Sequence, residues 1–134
     1  MKKAVIFDMY GVLLLKRYFF FEKGHMHMTE VVEELRMKGY KLFLLSNIYL
    51  ANGAHFKAKY PFLMLFDKVY FSSDTGFYKP DPRAYEQLLK ENNLRPEDCI
   101  FFDDTRRNVE AAKKLGIEAY VFESPEMVRE KLGI

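Results

Sequence analysis

The chain has 134 residues, of which 49% are hydrophobic and 30% are charged, and its formal net charge is +2. This length is typical of a single domain, and the apolar content is enough to fill one core, which argues against intrinsic disorder. No strongly basic run is present, so the charge gives no reason to expect a nucleic-acid partner.

Apolar runs and segments with helical spacing alternate along the chain. In chain order, the pattern predicts a strand at 4–7, a helix at 29–38, strands at 41–45 and 68–71, a helix at 82–92, a strand at 99–102, a helix at 107–115, a strand at 118–122 and a helix at 125–132. Thr29 is a candidate N-cap of the first helix, and Gly39 is its stop signal.

Continuous apolar strands that alternate with helices indicate an α/β fold with a parallel sheet covered on both faces. Ligands of such sheets bind beyond the carboxyl ends of the strands. The residues at these ends, or in the loops that follow them, include Asp8, Ser46, Asn47, Lys79, Asp103 and Asp104. Three carboxylates, a lysine and two small polar side chains are therefore expected at one rim of the sheet.

This set of side chains suggests covalent hydrolysis of an anionic substrate. A carboxylate such as Asp8 can act as a nucleophile and form an intermediate that water later hydrolyses. It would repel a phosphate, so it needs a cation, and magnesium prefers carboxylate ligands of the kind that the acidic pair after the fourth strand provides. Lys79 adds a compact positive charge, and Ser46 and the backbone amide of Asn47 can donate hydrogen bonds to phosphoryl oxygens.

Four segments resemble, in order, the four motifs of the haloacid dehalogenase-like hydrolase superfamily. FDMYGVL (7–13) resembles the first motif, an apolar strand that ends in Asp-x-Asp-Gly, and LLSN (44–47) resembles the second. YKPDPRAYE (78–86) contains the lysine of the third motif, and FFDDTRRNVEAAKKLG (101–116) resembles the fourth, Asp-Asp-x-x-x-Asn. The resemblance implies a Rossmann-like core with a five-stranded, mainly parallel sheet, as a single domain over residues 1–134.

The resemblance also implies a role for each matching residue. Asp8 would be the nucleophile, Ser46 would bind the phosphate together with Asn47, and Lys79 would hold both nucleophile and phosphate.

The same resemblance implies a Mg2+ site. Asp8, Asp103, Asp104 and the backbone carbonyl of Tyr10 would be its ligands, and Asn108 would orient those ligands.

Tyr10 departs from the first motif of the phosphatases in this superfamily. Those enzymes carry Asp at this position, and it protonates the leaving oxygen and later activates water. Tyrosine has an unperturbed pKa of about 10, so Tyr10 could donate a proton in catalysis but is a poor base at neutral pH. Loss of a positioned acid–base group typically costs roughly 10²–10⁴ in rate, which predicts a phosphate-ester hydrolase with weakened acid–base catalysis.

Two alternatives stay open. The 2-haloacid dehalogenases of the superfamily have Asp-x-Tyr-Gly at the first motif and need no acid, but they work without metal and lack the acidic pair of residues 103–104. The third reading is a non-catalytic interaction module that keeps the fold and the metal site.

The segment 12–28 lies where relatives with this fourth motif usually insert a helical cap. It is too short for a helical bundle, so we expect a flap and an open site, which suits a small-molecule or macromolecular phosphate substrate. The aromatic run Tyr18 to Phe21 would either pack beneath the flap or form an interface between two copies of the chain.

The remaining expectations concern location. No stretch of 18 consecutive apolar residues is present, so no membrane partner is expected. Cys99 is the only cysteine, which excludes an internal disulfide, fits a reducing compartment and leads us to expect a cytoplasmic protein.

Overall fold

A computed structural model describes residues 2–14, 22–49 and 53–134, without the side chains of 22–27. The strands are β1 (Ala4–Phe7), β2 (Lys41–Ser46), β3 (Lys68–Phe71), β4 (Cys99–Asp103) and β5 (Glu118–Val121). They form one sheet in the order β3-β2-β1-β4-β5, and each neighbouring pair is parallel. The predicted five-stranded α/β fold is confirmed.

Six α-helices connect or follow the strands in the described part of the chain. They are α1 (Glu22–Met37), α2 (Gly53–Lys59), α3 (Ser72–Thr75), α4 (Pro82–Glu91), α5 (Arg106–Lys114) and α6 (Pro125–Leu132). Two short 3-10 helices, Pro61–Leu65 and Pro96–Asp98, precede β3 and β4. None of the helices in the described residues combines the length and apolarity that a bilayer crossing requires.

The sheet is covered on both faces, and side chains alternate between the two layers. Val5 and Phe7 belong to a core cluster that includes residues of α1 and α6, whereas Ala4 and Ile6 belong to a second cluster with residues of α4 and α5. All four residues of β1 are buried, because this strand is central and covered on both faces.

The first helix is longer than predicted. It begins at Glu22, so Thr29 lies inside α1 and the prediction that it is the N-cap was wrong. The physical reason is the apolar period, which already includes Met28, the residue directly before Thr29. Met28, Val31, Val32 and Leu35 follow i, i+3, i+4, i+7 spacing, and each is at most 1% exposed.

Residues 22–28, predicted as part of a flap, therefore form the first part of α1. Val12 and Leu13, at the other end of that segment, are buried in the core. The aromatic run at 18–21, with the predicted association of two copies through it, lies outside the described residues.

Candidate functional site

The site is built where the three central strands end. β1 lies between β2 and β4, and Phe7 pairs with Leu44 on one side and Phe102 on the other. The chain leaves β1 through Asp8, whose backbone N–H still donates to the Phe102 carbonyl at 3.0 Å. Since all three strands run in the same direction, their carboxyl ends deliver side chains to one rim.

Three carboxylates converge at this rim. Asp8 follows β1, Asp103 is the last residue of β4, and Asp104 comes directly after it. One carboxylate oxygen from each lies within 4.8 Å of the others. Asp103 is 0% exposed and Asp8 is 8% exposed, so two of the three charges are removed from water.

Lys79 crosses from the loop after α3 into this acidic cluster. Its Nζ donates hydrogen bonds to Asp8 Oδ1 at 3.0 Å, to Asp103 Oδ2 at 2.8 Å and to the Leu45 carbonyl at 2.6 Å. The three partners match the three N–H donors of an ammonium group, which explains how a lysine only 3% exposed is accommodated.

Asn47 holds the backbone of that lysine. Its Nδ2 donates to the Lys79 carbonyl and its Oδ1 accepts from the Lys79 amide, both at 2.9 Å. The Asn47 side-chain amide thus fastens the loop after β2 to the lysine loop, and the role of the Asn47 backbone amide toward a phosphoryl oxygen stays a prediction. Ser46, at the end of β2, is 2% exposed.

Asp8 is oriented through one of its two oxygens. Oδ1 accepts from the Met9 amide at 2.9 Å as well as from Lys79, whereas Oδ2 accepts no hydrogen bond from the described residues. Burial raises the pKa of Asp8 to about 7, and the neighbouring carboxylates of Asp103 and Asp104 add to the rise that Lys79 opposes.

Asp103 is also fixed by the start of α5. Its Oδ1 accepts from the Thr105 amide at 2.8 Å, and its Oδ2 accepts from Asn108 Nδ2 at 3.2 Å. The other end of that amide, Asn108 Oδ1, is buried and has no hydrogen-bond partner in the described part of the chain. A buried carbonyl oxygen without a donor is a costly group.

Asp104 lies against the turn that follows β1. A Cβ added at Gly11 would be 2.3 Å from Asp104 Oδ2, and Gly11 has a φ of +86°. Only glycine fits both the positive φ and the close approach, so this glycine lets Asp104 reach the loop that contains Tyr10. Gly11 was not among the residues predicted for the site, although its place in FDMYGVL was a usable signal.

The side chain of Tyr10 packs toward the end of α2. Its ring meets Phe56 edge-on, with centroids 6.4 Å apart. Burial, followed by the charge and the hydrogen bond of Tyr60, raises the pKa of Tyr10 to about 12. No local sequence pattern predicts Tyr60 as the partner of Tyr10, because the two residues are far apart along the chain.

The donor set fits a divalent cation. Among the described residues, Lys79 pairs with Asp8 and Asp103, and the three carboxylates offer hard oxygen donors of the kind that Mg2+ binds. The unpartnered Asn108 Oδ1 adds a further oxygen beside this set.

Comparison with known proteins agrees with a divalent-cation site at this rim. The sequence profile described as "Haloacid dehalogenase-like hydrolase" matches residues 22–122. "Phosphatase MT3486" from Mycobacterium tuberculosis (strain CDC 1551 / Oshkosh) is 32% identical over 114 residues, which are 84% of this chain and 52% of that protein. The chain spans about half the length of such curated relatives.

Two solved structures are also similar. An uncharacterized protein from Corynebacterium glutamicum has a TM-score of 0.83 at 23% identity, covering 99% of this chain and 94% of its own, and shares the fold. A HAD family enzyme from Bacteroides thetaiotaomicron, in complex with magnesium and inorganic phosphate, has a TM-score of 0.62 at 25% identity, covering 74% of this chain and 52% of its own.

Proposed function

The chain belongs to the haloacid dehalogenase-like hydrolases, and we propose that it is a Mg2+-dependent phosphate-ester hydrolase with Asp8 as its nucleophile and weakened acid–base catalysis. The observation that carries the proposal is the meeting of Asp8, Asp103 and Asp104 around Lys79. This arrangement combines a nucleophile, a place for a cation and a fixed positive charge at one rim.

In the first step, Asp8 Oδ2 attacks phosphorus. A bond forms between this oxygen and phosphorus, the bond from phosphorus to the ester oxygen breaks, and the electron pair stays on the leaving oxygen. Lys79 and the Met9 amide hold Oδ1, so the second oxygen is the one available for attack. Ser46 would donate its hydroxyl to a phosphoryl oxygen.

In the second step, water attacks the phosphorus of the aspartyl phosphate. The bond between Asp8 and phosphorus breaks, inorganic phosphate leaves, and the carboxylate is regenerated. Lys79 would stabilise that carboxylate through the contact it already makes at 3.0 Å.

Bound between the carboxylates, Mg2+ would screen them from the phosphate and stabilise charge on the phosphoryl oxygens. Asp8, Asp103 and Asp104 are the side chains that would hold it, and Asn108 would fix Asp103. Burial, and after it the charges of Asp103 and Asp104, raise the pKa of Asp8, and a bound cation would oppose that rise.

The acid–base step is the weak part of this site. The Tyr10 hydroxyl has a pKa of about 12 and a hydrogen bond with Tyr60, so it retains its proton at neutral pH and cannot serve as a general base. Because the hydroxyl is already engaged in the hydrogen bond with Tyr60 and the ring packs against Phe56, we expect this residue to give the leaving oxygen little help, which favours esters whose alcohol is a stable anion.

Carbon–halogen hydrolysis is the second candidate, and Tyr10 is the residue that favours it. Halide needs no proton to leave, so the absence of an acid two residues after Asp8 would cost nothing. The convergence of Asp103 and Asp104 on Asp8 favours the metal-dependent phosphatase instead.

The test is release of phosphate from 4-nitrophenyl phosphate with MgCl2 or EDTA. We expect Mg2+-dependent release that Asp8→Asn abolishes. Glu97→Gln is the matched control, because Glu97 is an exposed carboxylate in the 3-10 helix before β4. This helix lies at the amino end of the strand, away from the rim that holds Asp8. Metal-independent halide release from a 2-haloacid would favour the second candidate, and neither activity would favour an interaction module.

A further inference from the structure

Two tyrosine rings lie stacked on the surface near the active-site rim. The centroids of Tyr49 and Tyr78 are 5.1 Å apart, and their planes differ by 15°. Tyr49 is 70% exposed and Tyr78 is 37% exposed, so Tyr49 forms the outer layer and its ring is largely open to solvent.

The position of the pair follows from its neighbours in the chain. Tyr78 directly precedes Lys79, and Tyr49 comes two residues after Asn47, whose amide is paired with the Lys79 backbone. Consecutive Cα atoms are about 3.8 Å apart, so Tyr78 lies one residue from Lys79, and Tyr49 lies two residues from the asparagine that is paired with the Lys79 backbone.

The Tyr49 ring is mostly exposed, so it is not part of the core. The other large hydrophobic side chains that are exposed among the described residues, apart from this pair, are Met37 and Met64. Both methionines belong to elements that precede a strand, at the amino end of the sheet. The two tyrosines are instead brought together at the carboxyl end, where ligands of parallel sheets bind.

We propose that Tyr49 and Tyr78 form a stacking platform for the aromatic leaving group of an aryl phosphate. This inference rests on the proposed phosphate-ester hydrolysis and names its substrate class. An exposed ring on the loops that lead to Lys79 and Asn47 provides a flat apolar surface for a planar group, while the phosphate reacts at Asp8.

The packing of Tyr10 supports the same substrate class. Its ring meets Phe56 edge-on, with centroids 6.4 Å apart, so the side chain is engaged with α2 and offers little help to a departing alkoxide. A phenolate is a much more stable anion than an alkoxide and leaves with its electron pair without needing a positioned acid. Aryl esters are therefore the esters that both the surface and the reacting groups favour.

The experiment measures binding without turnover. The full chain with MgCl2 is titrated by calorimetry with 1-naphthylphosphonate and methylphosphonate, which share the phosphonate group and are not hydrolysed. We expect the naphthyl compound to bind about 3- to 10-fold more tightly for each stacked ring contact. Tyr49→Ala should reduce this preference, and Tyr49→Ala with Tyr78→Ala should remove it.

Two further variants separate stacking from other effects. Tyr49→Phe keeps the ring and is expected to keep most of the preference for the naphthyl compound. A preference that depended on the tyrosine hydroxyl would be lost in this variant. Met64→Ala removes an equally exposed apolar side chain remote from the platform, and should leave the preference as it is. Circular dichroism checks that each variant is folded.

The outcomes distinguish this inference from the function on which it rests. Equal affinity for both phosphonates, or a preference that the double alanine variant retains, overturns the aromatic platform but leaves the phosphatase proposal standing. If neither phosphonate binds and no phosphate ester is hydrolysed, the proposed function fails and the platform fails with it.

Discussion

Replacing Lys79 with methionine tests whether one lysine neutralises the buried acidic cluster. Its side chain is 1% exposed, and its partners Asp8 and Asp103 have side chains that are 11% and 0% exposed. The substitution removes the charge but keeps an unbranched apolar stem, so the expected effect comes mainly from two carboxylates that lose their cation.

The magnitude follows from this burial. Removing one partner of a buried ion pair costs about 3–5 kcal/mol, because an uncompensated charge stays in a low-dielectric site. Lys68 provides the matched control, since it pairs with Glu91 through side chains that are 49% and 36% exposed. Such a surface pair contributes roughly 0–1 kcal/mol, so Lys68→Met should lower the free energy of unfolding far less than Lys79→Met.

The free energy of unfolding that Lys79→Met loses relative to wild type should also depend on pH. Lys79 lowers the pKa of Asp8, so the variant's folded-state pKa lies above the wild-type value of about 7. A carboxyl with a raised folded-state pKa stabilises the fold when protonated, and this stability is lost as the pH rises through that pKa. The variant should therefore be closest to wild type at about pH 5 and furthest from it at about pH 8.

Urea denaturation followed by circular dichroism measures both effects. The two lysine variants and the wild type are compared in EDTA and in MgCl2 at each pH. Added Mg2+ is expected to restore part of the stability lost in Lys79→Met. The reasoning is refuted if Lys79→Met loses no more unfolding free energy than Lys68→Met. It is also refuted if the loss in Lys79→Met is the same at pH 5 and pH 8.

Three shorter predictions test other parts of the site. Tyr10→Asp should raise phosphate release from an alkyl phosphate by about tenfold or more over Tyr10→Phe, since a positioned acid–base group contributes roughly 10²–10⁴. Gly11→Ala places a Cβ 2.3 Å from Asp104 Oδ2 and should weaken Mg2+ binding in calorimetry, whereas Gly39→Ala, with nothing within 4 Å, should not. The metal-free protein should lose thermal stability as the pH rises through the Asp8 pKa of about 7, and Asp8→Asn should abolish that part of the loss.

The strands and the rim were predictable because buried parallel strands have a simple sequence pattern. A strand covered on both faces is a continuous apolar run, and the first polar residue after it marks its end. This pattern placed β1 and β3 at their observed bounds and missed β2 and β4 only by the terminal residues Ser46 and Asp103. Because site residues occupy strand ends, a correct strand map also predicts which residues meet.

The contacts that orient those residues were not predictable in the same way. The sequence places Asn47 at the rim, but whether its amide faces a substrate or the Lys79 backbone depends on a loop 32 residues away. The loop after β2 is also tied to Ser72, which accepts from and donates to the Ile48 backbone at 2.7 and 2.9 Å. Long-range pairing of this kind depends on tertiary packing, and local patterns carry no signal for it.

The orientation of Tyr10 shows how such long-range contacts affect the chemistry of the site. From the sequence, a tyrosine two residues after the nucleophile is a weaker acid in the place of a stronger one. In the structure its ring packs on Phe56 and its hydroxyl has Tyr60 as partner, while Gly11 brings Asp104 against the backbone of the same turn. The turn therefore keeps the backbone near the carboxylates but commits the side chain to the packing around α2. We therefore expect Tyr10 not to act as an acid, and restoring a carboxylate at this position is a more informative change than removing the phenol.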